Sequence, residues 1–189
     1  MKILLFGDLH LDLDCLKEVE IKANDAEIIL SVGDFSIFGE GLREVLKIIN
    51  SFEKPTYIIH GNHESSAEIK QAIKGLKNIK YIHRKIVKYE DIKIGGYGGD
   101  GFSLEDFEFE KFFKNKNPDI IITHGPPART KLDLLHEEHV GNESYRTIIE
   151  KNQPKLYVCG HIHENFSVVD SLKKTIIINP GPEGILIDF

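Results

Sequence analysis

The chain has 189 residues, 41% hydrophobic and 29% charged, with 24 basic against 30 acidic side chains and a net charge of −6. That balance belongs to a globular chain able to bury a sizeable core, and it excludes an extended disordered one. No apolar run approaches the roughly 20 residues of a membrane-spanning helix, and the acidic excess disfavours a surface that grips many nucleic-acid phosphates.

In chain order, residues 2–6, 27–32 and 56–60 are apolar runs rich in Ile, Leu and Val and followed or closed by Gly, which predicts buried strands. Between them, residues 14–23 and 40–52 carry apolar side chains at helical spacing; Leu42, Val45, Leu46, Ile49 and Phe52 share one face. The opening is therefore βαβαβ and calls for a parallel or mixed sheet. Ser65 or Ser66 caps a third helix over 67–76, with Glu68 in its first turn. Residues 81–82, 85–89 and 92–96 are short runs between turn residues and predict antiparallel strands. A helix over 104–114, a strand over 119–123 and a helix over 144–151 follow. Closing strands are expected at 155–159, 166–169, 175–178 and 184–187. About ten strands and five or six helices imply two sheets with helices outside, in one domain spanning 1–189.

The N-terminal apolar stretch, residues 3–6, is too short for a signal peptide, and a cytoplasmic location is expected. Cys15 and Cys159 make no disulfide framework.

Five times an apolar predicted strand ends and polar side chains with metal-binding atoms follow at once. Asp8 and His10 follow the first strand, Asp34 the second, Asn62 and His63 the third, His124 the strand over 119–123, and His161 and His163 the strand over 155–159. In α/β sheets the loops beyond the carboxyl ends of strands are where ligands bind. Mixed Asp oxygen and His nitrogen donors suit Mn, Fe, Co, Ni or Zn, and neither cysteine lies in the set. In Asp8-Leu9-His10 and His161-Ile162-His163 alternate residues of an extended segment face the same way. Asp34 can bridge two ions about 3.5–4 Å apart that share a hydroxide.

Taken singly, each Asp fits a cap or a turn, and each His a hydrogen-bonded sheet-edge residue. Jointly, Asp8-Leu9-His10, Gly33-Asp34, Gly61-Asn62-His63-Glu64, His124 and Gly160-His161-Ile162-His163 resemble the calcineurin-like metallophosphoesterase superfamily, in its motif order and over nearly the whole chain. The resemblance, greatest to the compact prokaryotic members, implies a four-layer αββα sandwich of two mixed sheets flanked by helices. It implies a first metal held by Asp8, His10, Asp34 and His163, and a second by Asp34, Asn62, His124 and His161. Manganese is the leading expectation, with Ni, Fe, Co or Zn as alternatives. The activity implied is phosphodiester or phosphomonoester hydrolysis by attack of the bridging hydroxide. His63, Asp34 and Asn62 are its catalytic residues, with His63 assisting the leaving group and Glu64 orienting His63. A small phosphate ester or nucleotide-like substrate is expected, and a homo-oligomer is compatible with the sequence. The alternatives are a metal-dependent nuclease and a non-catalytic protein-binding scaffold.

Other residues take structural readings. His60 is packed or supports the site from behind, while His83, His136 and His139 are solvated. Asp12 or Asp14 caps a helix, Cys159 packs as a small apolar residue, and the lysines of 111–116 form a solvated helix end. The glycine-rich run 95–102 is either a mobile turn or a pocket border where Tyr97 or Phe102 stacks a ring. In 126–141, Arg129 and Lys131 either contact a phosphate or belong to a surface loop.

Overall fold

In the strand Lys2–Phe6 (β1), Ile3, Leu4, Leu5 and Phe6 are all buried although successive side chains point to opposite faces, so both faces need cover. The computed structural model, which describes residues 1–99 and 101–189, supplies that cover in four layers. Leu4 and Phe6 join Ile29, Ile58 and Ile79 beneath the helices Leu13–Ala23 (α1), Leu42–Ser51 (α2) and Ser66–Ala72 (α3). Ile3 and Leu5 point the other way, into a core shared with a second sheet.

The first sheet has the order β13-β1-β2-β3-β4, with β2 at Ile28–Ser31, β3 at Thr56–Ile58, β4 at Ile79–Tyr81 and β13 at Ile185–Asp188. β13 is antiparallel to β1; the other neighbours are parallel. The second sheet has the order β11-β12-β10-β7-β6-β5. Its strands are β5 (Lys85–Tyr89), β6 (Ile92–Tyr97), β7 (Ile120–Thr123), β10 (Leu156–Val158), β11 (Val169–Leu172) and β12 (Thr175–Ile178). Parallel pairs lie at its centre and antiparallel pairs at its edges. Its outer face packs Ile121, Tyr157 and Ile177 against Phe109 and Phe113 of α4 (Phe107–Phe113) and Tyr145, Ile148 and Ile149 of α5 (Glu143–Asn152). The fold is the expected αββα sandwich of two mixed sheets. Among the described residues no helix is long and apolar enough to cross a membrane.

Local signals account for the helix starts. Asp12 caps α1, accepting from the N–H groups of Asp14 and Cys15, and Ser65 forms a capping box with Glu68 at α3. Two expectations need correction. β4 is parallel to β3 and belongs to the first sheet, because α3 crosses over between them; only β5 and β6 form the antiparallel pair. The expected strand at 166–169 begins only at Val169, after a 3-10 turn at His163–Asn165. The final strand, expected at 184–187, closes the first sheet. Residues 126–141 contain a 3-10 turn at Lys131–Asp133 followed by a small hairpin, β8 (Leu134–Leu135) with β9 (Glu138–His139). Asp100 of the glycine-rich run lies outside the described residues.

Candidate metal centre

The parallel strands β1, β2, β3, β7 and β10 all end at one edge of the sandwich, and each delivers its polar residues there in the next turn. Four of those residues hold a left-handed backbone: Asp8 (φ 54°), His10 (φ 43°), Asp34 (φ 55°) and His161 (φ 73°). Asp and His tolerate this better than most side chains, but such positions still cost of order 1–3 kcal/mol and persist only where the surroundings impose them. Two glycines let the strand ends close on the carboxylates. A Cβ at position 61 would sit 2.1 Å from Asp34 Oδ1, and one at position 160 would sit 2.2 Å from Asp8 Oδ2.

All eight sequence-predicted residues meet at this edge. His10 Nε2 lies 3.2 Å from His163 Nε2, and His163 Nε2 lies 3.9 Å from Asp8 Oδ1. On the other side Asn62 Oδ1 is 2.8 Å from His124 Nε2 and 3.0 Å from His161 Nδ1, with those two ring nitrogens 3.2 Å apart. Asp34 Oδ2 stands between the groups, 3.6 Å from His10 Nε2 and 3.4 Å from His124 Nε2. The donor atoms of Asp8, His10 and His163 lie within 4.8 Å of one another, as do those of Asp8, Asp34 and His124, and those of His10, Asp34 and His63.

This donor set fits divalent ions. Nδ1 of His124 engages the Val32 carbonyl at 2.9 Å, which orients the ring so that Nε2 faces the cluster, as is usual for a ligating histidine. Burial disfavours charge on His124, yet its hydrogen bond to Asp34 and the charges of Asp34 and Asp8 hold its pKa up at about 9. Burial lifts Asp8 above the ordinary carboxylate range, with His124 opposing. Burial acts in the same sense on Asp34, but the hydrogen bond and charge of His124, the His63 N–H and His10 keep it well below that range. Two buried carboxylates thus favour positive charge at this edge, which a cation would supply. Among the described residues His63 Nδ1 is buried without a hydrogen-bond partner, a state that costs about 1–3 kcal/mol where nothing meets it.

The calcineurin-like phosphoesterase family model matches residues 1–165. The chain belongs to that family. Calcineurin-like phosphoesterases are metal-dependent hydrolases of phosphate esters. This one is 29% identical over 206 residues to an uncharacterized protein of Methanocaldococcus jannaschii, MJ1162, covering 99% of this chain and 91% of that protein. Among solved structures, TT1561 of Thermus thermophilus is similar with a TM-score of 0.74 at 15% identity, over 95% of this chain and 88% of that one. An archaeal phosphodiesterase is similar with a TM-score of 0.58 at 20% identity, over 96% and 84%. At such identities these two structures speak for the phosphoesterase fold alone.

Residues around the phosphoesterase centre divide differently from some expectations. Glu64 does not reach the His63 ring. Its buried carboxylate accepts from Asp34 N (3.1 Å), Ser36 N (2.7 Å) and Ser36 Oγ (2.7 Å), and so clamps the turn that presents Asp34. Arg129 forms a two-pronged ion pair with Glu143 (2.5 and 2.7 Å), in line with the surface-loop reading. Asp133, which no local signal singled out, is fully buried and organises that loop through the N–H groups of Arg129, Thr130 and Gly141. His139 is exposed but paired, with Nδ1 2.8 Å from Asp133 Oδ1, and His136 is exposed. Tyr97 is buried against Phe109, whereas Phe102 is 67% exposed with its ring 4.6 Å from that of His161.

His83 is not solvated as expected. Its ring lies among those of His60, Tyr81 and Tyr97, and Nδ1 accepts from Gly98 N–H at 2.9 Å. Burial, then the charges of Arg84 and Lys70, lower its pKa from 6.5 to about 4; burial and His83 bring His60 to about 4 as well. Between pH 4 and 6.5 the unfolded chain therefore binds more protons at these residues than the folded one. Their neutral-state stability is complete above that window and is lost as pH falls through it. The urea midpoint is expected to drop between pH 7 and pH 5, with a shallower slope in His83→Asn. An unchanged slope in that variant would remove His83 from the account.

Proposed function

We propose that this chain hydrolyses a phosphodiester or phosphomonoester at two divalent ions, manganese first among Mn, Ni, Fe, Co and Zn, with residues 1–189 acting as one cytoplasmic domain. The position of Asp34 Oδ2 between the His10/His163 pair and the Asn62/His124/His161 group supports this reading best. Asp8, His10, Asp34 and His163 would hold one ion; Asp34, Asn62, His124 and His161 would hold the other. When bound, such ions supply Lewis-acid charge for the phosphoryl oxygens and bring the pKa of water towards neutrality.

The protein's own groups do the rest. Glu64 holds the Asp34 turn still, and the Val32 carbonyl holds the His124 ring. The carboxylates of Asp8 and Asp34 offset part of the ionic charge and leave the site cationic towards a phosphate anion. Asn62 presents a neutral amide oxygen, so the second cluster gains a donor atom without further negative charge. His63 lies against His10 at a ring distance of 4.5 Å, at the rim of the cluster, where it can give a proton to the departing oxygen.

The test is hydrolysis of bis-p-nitrophenyl phosphate and p-nitrophenyl phosphate by metal-stripped protein, with Mn, Ni, Zn or Mg restored separately. Metal-dependent release from either ester is the expected result, and the ratio between them assigns diesterase or phosphatase character. Stoichiometric metal binding with no turnover of either would overturn the hydrolytic reading.

A further inference from the structure

Two clefts flank the cluster and share its histidines. One, of about 430 Å³, is lined by Phe38, His60, Asn62, His63, Ser65 and Glu68. The other, of about 660 Å³, runs from His161 and His163 to Phe102, Leu104, Leu135 and Val140. The rings of Phe38, His63, His10 and His163 follow one another at 4.3, 4.5 and 5.0 Å, so the clefts lie on either side of His10.

The two differ in chemistry. The His63 cleft takes its side chains chiefly from His60, Asn62, His63, Glu64, Ser65 and Glu68, with Phe38 stacked over the histidine that would protonate the leaving oxygen. In the second cleft Phe102, Leu104, Leu135, Val140 and Ile162 form apolar walls, with polar side chains from His139 and Glu164 besides the two histidines. Phe102 and Leu104 remain 67% and 62% exposed there. Large apolar side chains held open beside a charged centre are the usual make-up of a small-ligand pocket. In an in-line displacement the leaving group departs on the acid's side, here towards His63, and the group kept on phosphorus lies elsewhere. A phosphomonoester has no second organic group to fill the second cleft; a diester does.

Building on the phosphoesterase reading, we propose that the cleft walled by Phe102, Leu104, Leu135, Val140 and Ile162 is a subsite for a planar ring on the retained substituent of a phosphodiester. The ring would lie against Phe102 and the aliphatic walls, and its diester phosphate would reach the His161/His163 end. An aryl group and a nucleobase share this chemistry. The pocket grips the ring by its faces, so Leu104 and Val140 set specificity without touching the reacting atoms.

The experiment uses the Zn-restored full chain with methyl-labelled Leu, Val and Ile, titrated with diphenyl phosphate, adenosine 3′-methyl phosphate diester and dimethyl phosphate. Leu104, Leu135, Val140 and Ile162 methyl resonances are expected to shift with the two ring-bearing diesters and not with dimethyl phosphate; the stronger response of the first two tells aryl from base. The double variant Leu104→Ala/Val140→Ala should weaken ring-diester binding about tenfold, as lost contacts in an apolar pocket do, and leave dimethyl phosphate unchanged. In turnover, methyl p-nitrophenyl phosphate should be a poorer substrate than bis-p-nitrophenyl phosphate, and the gap should narrow in the double variant. Shifts confined to the Phe38 and His63 side, or equal response to all three ligands, would overturn the subsite. Absent turnover with intact, ring-selective shifts would remove hydrolysis and keep the subsite; turnover blind to the retained group would do the reverse.

Discussion

Asp34→Asn is expected to lower metal-dependent hydrolysis by roughly 10³-fold or more and to reduce the metal content from two ions per chain to one or none. The reason is positional. Asp34 Oδ2 is the oxygen that faces both His10 and His124, at 3.6 and 3.4 Å. An amide replaces one of the two oxygens by an NH2 group, which cannot ligate a cation, and deletes a charge from a buried site. Lost Lewis-acid stabilisation of several kcal/mol translates into about that rate factor. The fold should survive, because Asp34 Oδ1 accepts the His63 N–H at 3.0 Å and an amide oxygen can do the same. Metal analysis beside a thermal melt therefore separates the effects. Near-normal turnover with both ions retained would show that Asp34 does not bridge them.

The second large effect belongs to His63→Ala, and it depends on the leaving group. Losing a general acid typically costs about 10²–10⁴-fold, but only where the departing oxygen needs a proton. With an alkyl or phenyl leaving group the full loss is expected; p-nitrophenolate, a weak base, leaves nearly unassisted and should show a much smaller one. Metal content should not change, since the only hydrogen bond from residue 63 to Asp34 among the described residues comes from its backbone N–H. Stability should hardly fall, because the substitution also removes the buried, unpartnered Nδ1. A uniform loss across leaving groups, or loss of metal, would make His63 a ligand or a structural residue instead of an acid. The His10, Asp34 and His63 donor atoms lie within 4.8 Å of one another, which makes metal content the deciding readout.

Much of this is legible in the sequence. The run at 2–6 coincides with β1, and the turns after β1, β2, β3, β7 and β10 are those where Asp8, Asp34, Asn62, His124 and His161 appear. These features are local: an apolar stretch, a glycine, then polar residues. What escaped was decided by long-range pairing. Nothing local in Ile79–Tyr81 says that α3 makes a crossover and delivers it parallel to β3, and nothing in Ile185–Asp188 says which sheet has a free edge. Asp133 and Glu64 were opaque for a related reason. Each is a carboxylate that accepts from two or more backbone N–H groups besides a side-chain partner, and backbone donors leave no mark in a sequence. The left-handed conformations of Asp8, His10, Asp34 and His161 were equally hidden, since these residue types do not announce a positive φ as glycine does.

The pairing of β1 with β13 joins Lys2 to Asp188 and Leu5 to Ile185. One side of the strand that presents Asp8 is thus sealed by residues from the far end of the chain. Any partly folded state that has not yet recruited 185–188 displays a bare row of N–H and C=O groups along a strand that is apolar from Ile3 to Phe6, a template for pairing with another molecule. Truncation before residue 185 should therefore produce self-association, visible as light scattering, before it produces any loss of metal. In that event the colloidal behaviour of the chain would be governed by the open edge of the sheet and not by the rim that carries the histidines.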